Sequence, residues 1–180
     1  ASTEKCDLLF VAGEASGDAL AARVAGEILQ LRPDLNICAL GGSRLEKAVA
    51  RQVFELAGRG VVGFVEVIRS LSFFRQAMRC FEQTLDRDKP SAVVMVDFPG
   101  FNFRAARRAH ARGIPVIYYV SPQVWAWNQG RLKDMKRWVR KMLVLFPFEE
   151  KFYQDAGIPV EYVGHPLVEV LNDLQPSATT

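Results

Sequence analysis

Two acids stand at the ends of apolar runs, at places where a carboxylate can meet a ligand. Asp97 follows the uninterrupted run Ala92-Val93-Val94-Met95-Val96 and opens the segment Asp97-Phe98-Pro99-Gly100-Phe101-Asn102. Such a run reads as a buried parallel strand, and the segment after it as the loop at the strand's carboxyl end, where open α/β sheets bind ligands. A carboxylate held there is placed to take a proton from a substrate hydroxyl. The same position also suits a cap for a helix starting near Asn102, or a bond to loop amides. Glu14 has a comparable setting in Ala12-Gly13-Glu14-Ala15-Ser16-Gly17-Asp18, which closes the first apolar run. With Gly13 and Gly17 leaving backbone amides open and Ser16 expected as helix cap, this turn is an anion site in outline. A tight strand-to-helix turn needs small residues in any case. The spacing is neither the dinucleotide fingerprint nor a Walker loop.

Other segments carry binding chemistry of a different kind. Ser121-Pro122-Gln123-Val124-Trp125-Ala126-Trp127-Asn128 puts two indoles at another strand end, where their faces suit sugars or acyl chains; packing on the loop itself is the competing role. Next comes a basic helix with Arg131, Lys133, Lys136, Arg137, Arg140 and Lys141 against one acid, Asp134. That is a phosphate or anionic-lipid patch, or a solvated face. A long helix has a core stripe at Phe64, Ile68, Leu71, Met78, Phe81 and Leu85. Off the stripe, Val61, Val62, Val65, Val67, Phe73 and Phe74 make its amino-terminal half apolar nearly all round, with Arg69, Arg75 and Arg79 interleaved. This reads as a membrane-interface or acyl-chain patch, or a face covered by a partner domain. Of the two histidines, His110 reads as a surface residue, while His165 follows the last strand and either touches a ligand or shapes a turn. Neither supplies a metal site or a catalytic triad, and no cofactor is implied.

These residues need a scaffold, and strand and helix patterns alternate along the whole chain. Strands are expected at 7–12, 36–40, 53–56, 92–96, 115–120, 142–146 and 160–163. Helices are expected at 18–31, 43–50, 64–86, 102–111, after Asn128, and at 149–155. This alternation implies an α/β fold, a doubly wound, mostly parallel sheet with helices on both faces, in one Rossmann-like domain over residues 1–170. Residues 171–180 read as a disordered tail. The 180 residues, 49% of them hydrophobic, suit one domain with a sizeable core. A net charge of +3 does not mark a nucleic-acid binder. Cys6, Cys38 and Cys80 are widely spaced and read as reduced, mostly buried thiols. No apolar run is long enough to span a membrane, and the first residues lack a signal-peptide core.

Taken together, the motifs resemble those of the lipid-A-disaccharide synthases, glycosyltransferases of the GT-B architecture. The matching segments are Ala12 to Asp18, Val62-Gly63-Phe64-Val65-Glu66-Val67, Asp97 to Asn102, Tyr118 to Trp127, Phe146-Pro147-Phe148-Glu149 and Gly164-His165-Pro166-Leu167. The resemblance implies an enzyme that joins UDP-2,3-diacylglucosamine to 2,3-diacylglucosamine 1-phosphate. The products are the β(1→6) disaccharide and UDP, made for lipopolysaccharide at the cytoplasmic face of the inner membrane. It implies Asp97 as the base and Glu14 as an orienting acid, with Gly13, Ser16, Gly17 and Asn102 near the substrate. Trp125, Trp127, Asn128 and His165 would line an interdomain cleft. Val61, Val62, Val65, Val67, Ile68, Leu71, Phe73 and Phe74 would receive acyl chains or meet the membrane, and Arg131, Lys133, Lys136 and Arg137 would attract phosphates. GT-B enzymes have a second, UDP-sugar domain, and this sequence stops soon after Leu167. The expectation is therefore an acceptor-side half, inactive without a carboxyl-terminal domain or partner chain, with self-association also open. The alternatives are a non-catalytic lipid- or membrane-binding module and a related UDP-sugar enzyme such as an epimerase.

Overall fold

The computed structural model describes residues 5–57, 64–122 and 129–166, with backbone alone for 64–70 and 129. Seven strands form one sheet in the order β3-β2-β1-β4-β5-β6-β7, every pairing parallel. They are β1 (Leu8–Ala12), β2 (Ile37–Gly41), β3 (Arg51–Glu55), β4 (Ala92–Val96), β5 (Val116–Tyr119), β6 (Lys141–Val144) and β7 (Val160–Tyr162). The described helices are α1 (Ala15–Leu31), α2 (Ser43–Ala48), α3 (Phe64–Asp88), α4 (Pro99–His110), α5 (Leu132–Trp138) and α6 (Pro147–Asp155), with a 3-10 turn over Gln129–Arg131. The doubly wound parallel architecture expected from the alternating pattern is the one observed.

The pleat explains why β1 and β4 are apolar at every position. Leu9 and Val11 of β1, with Val93 and Met95 of β4, face a core shared with α3, α4, α5 and α6. Phe10, Ala12, Val94 and Val96 face a second core under α1 and α2. Each large side chain so buried contributes roughly 1.5–3 kcal/mol. On the α1 side, cover thins beyond β4. Ile117, Tyr119 and Leu143 are half-buried, and Tyr162 and Val163 are exposed. Cys6 and Cys38 are buried free thiols and Cys80 is half-buried. No described helix is long and apolar enough to cross a membrane.

Two helix starts and one helix face differ from expectation, each for a local reason. α1 begins at Ala15 with Glu14 as its cap residue, so Ser16 sits inside the first turn, exposed, and caps nothing. α4 begins at Pro99, whose fixed φ suits the first helical position, rather than near Asn102. On α3 the inward face runs through Phe73, Phe74, Ala77, Phe81 and Leu85, whereas Leu71 is 52% exposed. Phe73 and Phe74 turn inward because a chain of rings receives them: Phe54 to Phe73 at 5.1 Å, Phe73 to Phe74 at 5.6 Å and Phe74 to Phe98 at 6.0 Å between centroids.

Candidate active site

Strand order reverses direction between β1 and β4, since β1 leads outward to β2 while β4 leads the other way to β5. In the register Ala12 lies opposite Val96, so the residues that follow them, Gly13-Glu14 and Asp97, emerge side by side at the carboxyl edge. This is the crevice where doubly wound sheets hold ligands. Asp97 is half-buried there, and Glu14 is exposed beside it. Burial first, then the Glu14 charge, raises the Asp97 carboxyl above its ordinary range, opposed by the Phe98 N–H. Both main effects disfavour the carboxylate, which makes it a better proton acceptor.

The backbone aiming Asp97 is unusual. Asp97 and Phe98 are consecutive left-handed residues, with φ of 46° and 49°, and β-branched Val120 has φ of 62° at the end of β5. Such conformations cost energy for non-glycine residues and persist only where surroundings enforce them. Here the enforcing groups are visible. The Asp97 carbonyl accepts hydrogen bonds from Asn102 Nδ2 at 2.6 Å and from the Tyr118 hydroxyl at 2.7 Å, and the Asp97 N–H donates to the Tyr119 carbonyl at 3.0 Å. Asn102 is fully buried. Starting α4 at Pro99 places it one turn in, from where its amide reaches back to the strand end. Burial, with the Asp97 charge next, raises the Tyr118 phenol well above its usual range, so it stays a donor.

A cavity of about 550 Å³ collects Ser16, Gly17, Asp97 and His165, with Arg23 and Arg44 adding positive charge and Val120 and Leu145 an apolar wall. The structure thus joins four of the sequence-derived residues across α1, β4 and the segment after β7. Gly13 is required by packing, because the Phe98 ring occupies the space a Cβ would take. At Gly17, buried in the first turn of α1, a Cβ would make only ordinary contact with the Val96 carbonyl at 3.5 Å, so packing does not require glycine there. His165 is half-buried against Phe146, ring centroids 5.6 Å apart. Arg131 lies over the Phe103 ring at 4.8 Å, while Lys133, Lys136 and Arg137 are exposed around buried Met135. Val61, Val62, Trp125, Trp127, Asn128 and residues 171–180 lie outside the described residues, as do the side chains of Val65, Val67 and Ile68.

Sequence reasoning missed several residues that build this edge. Asp18 is 4% exposed, and its carboxylate accepts from the N–H groups of Gly42 (2.6 Å), Arg44 (3.0 Å) and Leu45 (3.2 Å), capping α2 from a neighbouring helix. Buried Glu149 accepts from the Ser121 hydroxyl at 2.5 Å and the Phe146 N–H at 3.2 Å, and Tyr153 donates to the Pro122 carbonyl at 3.1 Å. These contacts anchor the start of the indole-bearing loop. An acid three residues into α6 was the available signal for Glu149. For Tyr118 the signal was its place at the head of the segment Tyr118 to Trp127, which gave no hint of its partner.

Comparison with known proteins adds an independent line. A family model described as lipid-A-disaccharide synthetase matches residues 8–180. A lipid-A-disaccharide synthase of Coxiella burnetii is 43% identical over 160 residues, covering 89% of this chain and 43% of that protein. One of Koribacter versatilis is 42% identical over 170 residues, covering 94% and 44%. The chain thus spans less than half the length of these curated relatives. Among solved structures, the UDP-N-acetylglucosamine 2-epimerase of Rickettsia bellii aligns with a TM-score of 0.61 at 12% identity, over 94% of this chain and 47% of that one. The UDP-GlcNAc 2-epimerase of Neisseria meningitidis, bound to UDP-GlcNAc, gives 0.57 at 13%, over 92% and 47%. At such identities the likeness is one of fold alone.

Proposed function

The chain belongs to the lipid-A-disaccharide synthase family, and from that premise we propose that it forms the acceptor-side, amino-terminal part of a glycosyltransferase. The substrates are UDP-2,3-diacylglucosamine and 2,3-diacylglucosamine 1-phosphate, and the products the β(1→6) disaccharide and UDP. Asp97 takes the proton of the acceptor's 6-hydroxyl as that oxygen bonds to C1 of the donor sugar. The bond from C1 to the UDP oxygen breaks, and UDP leaves with the electron pair. Glu14 orients the acceptor and holds the Asp97 carboxyl more basic. Ser16, Gly17 and His165 bound the crevice, buried Asn102 holds the Asp97 turn from behind, and Trp125, Trp127 and Asn128 contact the substrate. Val61, Val62, Val65, Val67, Ile68 and Leu71 meet acyl chains or lipid, Phe73 and Phe74 being turned inward, while Arg131, Lys133, Lys136 and Arg137 draw anionic groups. The protein works at the cytoplasmic face of the inner membrane as a peripheral protein, and the UDP-sugar side of the cleft comes from a carboxyl-terminal domain or partner chain.

The observation that carries this reading is Asp97 itself: half-buried at the switch point beside Glu14, with its carboxyl raised, in a crevice large enough for a sugar. The epimerase alternative draws on fold likeness only, whereas the family match is to synthases. The test is disaccharide formation by the two-domain protein. Asp97→Asn should lower kcat by about 10²–10⁴ with the fold intact, and full activity in that variant would remove Asp97 from the base role.

A further inference from the structure

Phe98 shares a peptide with Asp97 but serves a different cavity. The left-handed pair that turns Asp97 toward the crevice lays the Phe98 ring over Gly13 and against Phe74 and Phe101, at 6.0 and 6.2 Å between centroids. Those rings, with Leu71 and Met78, floor a second cavity of about 560 Å³ between α3 and α4. Both helices start at the carboxyl edge of the sheet, α3 running into β4 and α4 out of it, so this cavity opens at the level of Asp97.

Charge at the cavity mouth is one-sided. Further along the two helices the arginines are paired: Arg108 with Glu82, and Arg112 with Glu82 at 3.6 Å and Asp86 at 2.6 Å. Arg75 and Arg104 also line the cavity, are exposed, and have no carboxylate partner among the described residues. Gly100, at the second position of α4, faces open space where a Cβ would project.

We propose that the cavity between α3 and α4 is a binding site for a single-chain anionic amphiphile, the acyl chain lying on Phe74, Met78, Phe98 and Phe101 and its anionic group between Arg75 and Arg104. An apolar floor excludes a purely polar anion, and two unpaired guanidiniums at the rim select a negative head over a neutral or cationic one. Its volume is that of a small-ligand site rather than a flat membrane-contact face. The identity of the natural occupant as an acyl arm of the sugar-lipid acceptor rests on the function proposed above. The site's chemistry does not.

The probe is decyl phosphate, titrated calorimetrically as monomer into the 180-residue chain. One saturable site is expected, weakened about fifteenfold when the chain is shortened to octyl phosphate, since each buried methylene strengthens binding about fourfold. Inorganic phosphate and decyltrimethylammonium should each bind at least tenfold more weakly. Arg75→Glu with Arg104→Glu, both on exposed positions, should lower decyl phosphate affinity tenfold or more. Gly100→Phe should do the same by filling the cavity, and Gly100→Ala should leave binding intact. No saturable binding, binding only to anionic vesicles, equal affinity for the cationic chain, or affinity unchanged in both the charge-reversed and the filled variants would overturn the proposal. Failure here with Asp97→Asn still abolishing transfer in the two-domain protein sinks this site alone, and decyl phosphate binding with Asp97→Asn fully active sinks the catalytic reading alone.

Discussion

Asp97 shows how one residue's chemistry is set by its neighbours. A base acts when deprotonated, so kcat/KM should fall on the acid side as pH drops through the raised Asp97 value. The Glu14 charge contributes to that rise. Glu14→Gln removes it, so the acidic limb of the pH–rate profile should move to lower pH, while a limb that stays in place would show that Glu14 does not tune the base. The stability consequence has the opposite sense to that of an ordinary ion pair. Because folding raises this carboxyl, the native state binds its proton more tightly than the unfolded chain, and stability falls as pH rises through that window. Asp97→Asn should therefore melt higher than the parent at pH 7, with the gap closing below the ordinary carboxylate range. Tyr118→Phe deletes a buried donor to the Asp97 carbonyl and should cost about 1 kcal/mol in denaturant unfolding. Asp97 was readable because an acid after an apolar run is conspicuous. The role of Tyr118 was not, because a tyrosine in a strand looks like core and its partner lies 21 positions away.

At the scale of elements, helix ends carry the strongest expectations. Asp18→Ala strips three backbone N–H groups of their acceptor, two of these bonds buried, and should cost about 2–3 kcal/mol, read as a lower urea midpoint at unchanged slope. Asp88, at the end of α3, is held down to about 2 by Arg87 first and by Arg51 of β3 next. A depressed carboxyl contributes stability above its unfolded value of about 3.9 and loses it as pH falls toward 2. Asp88→Asn should thus destabilise by roughly 1–2 kcal/mol at pH 7 and be nearly neutral at pH 2. The strands β1, β2, β4, β5 and β6 were legible as apolar runs, whereas β3, with Arg51, Gln52 and Glu55, gave only a weak strand signal. Which face of α3 turns inward was only partly so. Leu71, Phe74, Met78, Phe81 and Leu85 share one helical stripe, yet Phe74 packs on the rings of Phe98 and Phe101 while Leu71 is exposed.

At the scale of the molecule, the exposed cations of α5 set an expectation about surfaces. Each Lys or Arg near an anionic membrane adds about 1 kcal/mol, so exchanging Lys133, Lys136 and Arg137 for Gln should weaken flotation with anionic liposomes by about a hundredfold. Added salt should weaken the parent in the same direction. Flotation unchanged by either would assign these charges to solvent. By itself, the sequence determined the parallel α/β architecture, the strand ends that carry Glu14 and Asp97, and the kinship, because periodicity and short motifs are local properties of a chain. Only the tertiary structure decided that β1 and β4 lie side by side, that Asp18 caps a helix other than its own, and that Tyr118 and Asn102 fix the left-handed Asp97. Each of these joins residues distant along the chain, and which distant groups meet is settled by how helices and sheet pack together.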